Sequence, residues 1–287
     1  MHLLLFSIAC SVGVSIFLKL ARRYQLDVGQ AVAINYLTAI TLCVLLLRPD
    51  PMSVLSGNTP FWVLGSLGLL LPSVFVIMSK AVEQAGIVRS DAAQRLSLLI
   101  PLLAAVFIFD ESITGYKGYG IALALVALLC LLSRPKVLNT PAAFTQPTTQ
   151  HATTWLLVVW LGFGIIDILF KQLSKAGAQF AGSLVVSFAI AGVVMLAWLL
   201  LQRTRWSRRS LLSGILLGAL NFSNIYFYIR AHQHYSENPT LVFSAMNIGV
   251  ISLGTLIGAG FFKEKLSWLN MVGIILAIGA ILLLFPR

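Results

Sequence analysis

The chain has 287 residues, 59% of them hydrophobic and only 10% charged, with a mean hydropathy of +0.92. Soluble domains average about 25% charged residues, so the composition excludes an ordinary soluble enzyme, a disordered chain and a secreted disulfide scaffold. A helix crosses a bilayer in about 20 residues, which leaves room for roughly ten spans, and the net charge of +11 sits mainly between apolar runs. There it reads as an orientation signal and as contact with lipid headgroups, not as a nucleic-acid surface.

The apolar runs fall at 3–20, 28–47, 61–79, 92–109, 116–133, 154–173, 180–201, 211–229, 240–262 and 268–285. Backbone groups in hydrocarbon must be satisfied within their own segment, so each run is expected to be a helix, and the period-two alternation of a membrane barrel is missing. The first run has no basic residues before it and is read as a retained helix, not a signal peptide. Cys10, Cys43 and Cys130 lie inside apolar runs without metal-binding spacing and read as small buried residues.

Between Pro135 and Thr153 the chain turns into a Pro-, Thr- and Gln-rich linker. The linker (135–153) divides ten helices into two fives, 1–134 and 154–287. The two parts repeat each other. Under a shift of 153, the stretch from Phe109 lies on the stretch from Phe262 without a gap, pairing Glu111 with Glu264, Gly120 with Gly273 and Arg134 with Arg287. A shift of 152 pairs Lys19 with Lys171, and one of 150 pairs Lys80-Ala81 with Arg230-Ala231. Five is odd, so a second copy must be inverted in the membrane. The fold expected is therefore an all-α membrane protein of ten transmembrane helices in two inverted five-helix repeats. Secondary transporters use this plan, with a substrate site near the midplane between the halves.

Ala81, Pro101, Phe109-Asp-Glu111 and Gly120, echoed by Ala231, Phe262-Lys-Glu264 and Gly273, resemble the EamA-type domain of the drug/metabolite transporter superfamily. The second copy departs from the pattern in having Gly254 at the place of Pro101. The resemblance covers nearly the whole chain. It implies two EamA repeats, a multi-pass protein of the bacterial inner membrane, and movement of small metabolites by alternating access. No nucleotide-binding G-x-x-x-x-G-K-[ST] occurs, and no cofactor or metal is expected.

Charged groups in a span are functional candidates because they are costly there. Asp167 lies close to the middle of the sixth run, with Lys171 one turn on; either the two pair to fix packing, or Asp167 serves a substrate or proton coupling. In the fourth run Arg95 follows Asp91 by one turn, beside Gln94 and Ser97. It suits a substrate carboxylate or phosphate, unless it snorkels or pairs with Asp91. Asn221, Asn224 and Tyr228 share the eighth helix, and Asn247 of the ninth aligns with Gln94. These polar groups are candidates for a cavity lining, or for hydrogen bonds between helices. Asn35 and Tyr36 read as packing or interface residues. Glu111 and Glu264 read as structural carboxylates that accept from the N-terminus of the following helix, with coupling as the alternative. His232-Gln-His234, expected in a loop, lacks the convergent partners of a metal site.

The function expected is a secondary transporter of small metabolites, amino acids or related compounds among them. A flippase for lipid-linked carriers is the alternative within transport. An intramembrane enzyme is a third reading that lacks a visible catalytic set. The partners expected are a small-molecule substrate, the lipid bilayer and a coupling proton or ion, with no nucleic acid, in a monomer or homodimer.

Among the loop basic residues, Arg22, Arg23, Arg89, Arg134, Lys136, Arg203, Arg205, Arg208, Arg209, Lys263 and Lys265 fall on one side, against Arg48, Lys117, Lys175 and Arg287 on the other. The positive-inside rule then puts both termini outside the cytoplasm, the reverse of what the family resemblance implies. A C-terminal fusion to a reporter that fluoresces only in the cytoplasm is expected to stay dark; bright cells would reverse the assignment.

Overall fold

A computed structural model describes residues 2–49, 60–97, 99–100, 115–132, 151–175, 180–235 and 239–284. Ten helical segments follow one another: α1 (His2–Arg23), α2 (Val28–Leu47), α3 (Phe61–Ala85), α4 (Ile87–Leu96), α5 (Gly115–Leu132), α6 (Ala152–Lys175), α7 (Phe180–Leu201), α8 (Arg208–His234), α9 (Pro239–Thr255) and α10 (Trp268–Leu284). No strand occurs among the described residues. Helix α9 runs on as a π-helical stretch, Leu256–Phe261. Six of the helices, α1, α2, α3, α6, α7 and α8, are long and apolar enough to cross a membrane.

The boundaries differ from the apolar runs where polar residues continue a helix. Helix α3 extends through Lys80, Glu83 and Gln84, all compatible with helix, and only Gly86 separates it from α4. The gap expected between 79 and 92 is therefore largely helical. Arg89, counted above as a loop charge, is 4% exposed within α4 and does not belong in that count. Likewise, α8 extends to His234, so His232 to His234 form its last turn instead of a loop. Among the described residues no group of three His, Cys, Asp or Glu is placed to hold a metal. Pro101, Glu111 and the 135–150 stretch of the linker lie outside the described residues.

Local chemistry sets the helix ends. Asp27 caps α2, accepting from the Gln30 backbone N–H at 3.2 Å. The Gln30 side chain reaches across to the turn before α8, donating to Arg205 O at 2.8 Å and accepting from the Ser207 N–H at 2.8 Å. Ser267 and Asn270 cap the start of α10 reciprocally.

The packing runs largely between the two fives. Helix α2 lies on α8 as α7 lies on α3; α1 lies on α8 as α6 lies on α3; α1 lies on α9 as α6 lies on α4. The remaining large contacts, α5 with α10, α2 with α7 and α4 with α9, map onto themselves when each helix is exchanged for the one five places on. Individual contacts repeat too. Gly218 packs against Thr38, and its sequence equivalent Gly68 packs against Ile190, the equivalent of Thr38. Gly249 meets Ile8, and at the equivalent positions the Trp160 indole N–H donates to Leu96 O at 2.9 Å.

Glycine at 218 is required by close approach: a Cβ there would lie 2.6 Å from Thr38 Cβ and 2.8 Å from Asn35 O. The variant Gly218→Ala should destabilise the detergent-solubilised protein by about 1–3 kcal/mol, as overpacking does. Gly65→Ala is the control, since nothing lies within 4 Å of a Cβ at that position; it should be neutral or slightly stabilising. Thermal unfolding of the two variants checks the difference.

Candidate functional site at the α1–α4 seam

Ser7, Ser11, Ser15 and Lys19 recur every fourth residue along α1, so they lie along one side of the helix. Each meets a different partner. Ser7 Oγ donates within reach of Asn224 Oδ1 (2.9 Å) and Asn224 O (3.0 Å) on α8. Ser11 Oγ accepts from Arg95 Nη2 at 2.8 Å. Ser15 Oγ donates to Asp91 Oδ1 at 2.6 Å. The Lys19 ammonium stands 3.3 Å from Glu264 Oε1.

Helix α4 answers with the same spacing. Its first N–H groups are bound by Glu264, Ile87 N–H to Oε1 at 2.7 Å and Val88 N–H to Oε2 at 3.2 Å. Asp91 and Arg95 follow one and two turns later. Glu264 thus accepts at a helix N-terminus, but the helix it caps is α4 and not the following helix α10. The reason is reach: the turn after the π-helical stretch brings Glu264 back over α9, with its backbone N–H on Gly258 O at 3.0 Å. Gly86, at φ +87°, makes room for it, since a Cβ there would lie 2.6 Å from Glu264 Oε2.

Helix α4 ends beside this seam. Ser97 keeps right-handed helical φ/ψ (−59°, −23°), but its bonding tightens to i−3, with its N–H on Gln94 O at 3.2 Å, and the indole of Trp160 takes the Leu96 carbonyl. Ser97 also lies close to the Asp167 carboxylate. Its hydroxyl donates its single proton to Gln94 O, 2.6 Å away. Arg95 has Asp91, Tyr228 and Asp167 as electrostatic neighbours, so it neither snorkels nor depends on Asp91 alone. Residues from α1, α4, α6 and α8 therefore converge on one guanidinium, and Ser11 sits about halfway along α1.

Asp167 is exposed, yet it does not point outward. Leu157, Leu161 and Ile165 form the outward stripe of α6, and Asp167 is two residues, about 200°, round from Ile165. The side chain of Lys171 lies outside the described residues.

The other expected site residues divide. Asn221 donates to Asn35 Oδ1 at 3.2 Å, joining α8 to α2, and Asn224 holds Ser7; both serve helix contacts and remain half-buried. Gln94 and Asn247 are half-buried on α4 and α9, which pack together, and Asn247 has a contact of its own. Tyr228 joins the Arg95 group. A cavity of about 430 Å³ lies elsewhere, at the α1–α2 turn between Arg22, Asp27 and Glu83, and contains none of these residues.

The chain matches no protein-family model. It is similar to a Haemophilus influenzae protein described only as uncharacterized, 51% identical over 292 residues that cover 99% of this chain and 98% of the other. The two belong to one family. The match runs through the whole length, so the seam and both sets of five helices lie within the shared region.

The Lys19–Glu264 pair is 12% and 5% exposed at its side chains, which makes it a buried pair. Removing one partner of such a pair costs about 3–5 kcal/mol. Glu264→Gln and Lys19→Gln should each lower the melting temperature substantially, while the double variant should lose much less than the sum. Additive losses in the double-mutant cycle would show that the two groups do not interact.

Proposed function

We propose that the protein is a secondary transporter of small polar metabolites in the bacterial inner membrane, of the EamA type, with its ten helices arranged as two inverted five-helix repeats. One observation carries the reading: the Arg95 guanidinium, beside the tightened turn that ends α4, has neighbours from both fives. Inverted-repeat transporters place their substrate site at such an interface and build it from discontinuous helices. The exchange of helix contacts under the five-helix shift supports the repeat, and the six long apolar helices support the membrane.

In this reading the substrate carries a carboxylate, as amino acids and related compounds do. Arg95 binds it through its planar fork. Asp167, on the inward face of α6, receives a cationic or hydrogen-bond-donating group, and the Tyr228 hydroxyl bounds the site on the α8 side. Substrate access alternates between membrane faces as the two fives rock against each other.

The test is counterflow of a panel of amino acids and related carboxylates in proteoliposomes. Charge-assisted hydrogen bonds are worth about 1.5–3 kcal/mol, so Arg95→Gln and Asp167→Asn should each reduce apparent affinity by roughly 10–150-fold at matched protein levels. Wild-type transport by Asp167→Asn would remove that carboxylate from the site. Absence of counterflow across the panel in the wild type would overturn the carrier reading for these solutes.

A further inference from the structure

Asp91 has no task in the site as described, although its burial is the most complete of the three carboxylates on the seam. It is 2% exposed. Its Oδ1 accepts from Ser15, whereas Oδ2 has no hydrogen-bond partner. A Cβ placed on Gly254 would lie 2.9 Å from Oδ2, so the backbone of α9 closes over that oxygen. A space this tight does not hold a metal ion, which needs several oxygen ligands around it. It does admit a proton.

The charges around Asp91 leave the same opening. From α1 comes Lys19, from the α9–α10 turn Glu264, from its own helix Arg95, and beyond Arg95 stands Asp167 of α6. Among the described side chains that makes three carboxylates against two cations; the side chain of Lys171, one turn past Asp167, lies outside them. Helix α9 brings Gly254 and no charged residue, and α10 has none either. On α3, Glu83 pairs with Arg22 and Lys80 lies over the Trp155 ring. Arg89 is two residues, about 200°, round α4 from Asp91 and has a contact of its own. The side chain of Lys117 on α5 lies outside the described residues. One added proton brings these described groups to neutrality. Glu264 has both oxygens on N–H donors, and Asp167 has Arg95, Ser97 and open space. Asp91 Oδ2 is the carboxylate oxygen of the three groups that is buried without a hydrogen-bond partner.

We propose that Asp91 binds the coupling proton of this carrier, with Arg95 as the link between proton and solute. The proposal rests on the carrier reading and names its driving ion. When the carboxylate of a solute takes up the Arg95 charge, Asp91 loses its nearest cation and Oδ2 holds a proton drawn from water. When the solute leaves, Arg95 returns to Asp91 and the proton departs as it came, to water. The O–H bond at Oδ2 is the one bond made and broken. Solute and proton thus bind together, and each raises the affinity of the seam for the other.

Infrared difference spectroscopy of the full-length protein between alkaline and acidic pH reads the proton without any solute. The wild type should gain the carbonyl band of a carboxyl buried away from water. The band should be missing in Asp91→Asn, kept in Asp167→Asn, and moved in frequency by Ser15→Ala, which removes the hydrogen bond to Oδ1. Persistence of the band in Asp91→Asn, its loss in Asp167→Asn, or its absence from the wild type would each overturn the assignment. If Asp91→Asn does not fold, Ser15→Ala decides: a moved band supports Asp91 and an unmoved one overturns it. Proteoliposomes loaded with a pH-sensitive dye and given an amino-acid mixture supply the second arm. Wild type should carry protons in with solute, and Asp91→Asn should exchange solute with at least a tenfold loss of proton movement. Solute-driven proton movement at the wild-type rate in Asp91→Asn would overturn the coupling role. If no solute moves in the wild type, the carrier reading fails while the infrared result still decides whether Asp91 holds the proton.

Discussion

A carboxylate buried among apolar helices must be met by cations and N–H groups, and Glu264 is met by three: the Lys19 ammonium and the backbone N–H groups of Ile87 and Val88. This contact fixes α1, α4 and the α9–α10 turn at one level. Once Lys19 lies opposite the start of α4, the helical repeat brings Ser15 level with Asp91 and Ser11 level with Arg95. The depth of Arg95 in the bundle therefore depends on the cap, more than ten ångströms away along the helix at about 1.5 Å per residue. Gly86 and Gly258 belong to the same contact, because a side chain at either position would press on the Glu264 carboxylate.

Much of this was legible in the chain. Among the described residues ten α-helices overlap the ten apolar runs, because a bundle of this composition offers the backbone few other ways to satisfy its hydrogen bonds. Arg95, Asp167 and Tyr228 stood out as polar groups within apolar runs, and the structure brings these three together. The α1 stripe was missed. Serine is weakly polar and common in apolar helices, so Ser7, Ser11 and Ser15 did not register against the apolar background, although their spacing of four, ending on Lys19, was there to be read. The loop expected at 80–91 shows the opposite error. Hydropathy put Arg89 among the loop charges and ended the third run at 79, whereas Lys80, Glu83 and Arg89 are helical and Arg89 is buried. A hydropathy run marks where a helix is apolar, not where it ends. The partner of Glu264 was beyond reach for another reason: the helix it caps is 177 residues away in sequence.

In the proposed transporter, the repeat separates scaffold from chemistry. What recurs in both copies is Lys19 with Lys171, Glu111 with Glu264, and Gly68 with Gly218. Where these residues are described, they hold helices together: Lys19 and Glu264 by charge, the glycines by close contact. What does not recur is the polar centre. Arg95 aligns with Ile248, Asp91 with Ser244, and Asp167 with Ser15. A duplicated frame constrains both copies alike wherever it bears on packing, because the same helix contact occurs twice and fails twice. A single central site is under no such constraint. It needs one guanidinium, and a second at position 248 would add an unpaired charge to the interior at considerable cost. In the transporter reading, charges present in one copy only, at positions where the other copy carries a hydroxyl or an aliphatic group, are the candidates for chemistry. By that criterion Arg95, Asp167 and Asp91 belong to the chemistry, and Glu264 with Lys19 to the frame that sets their depth.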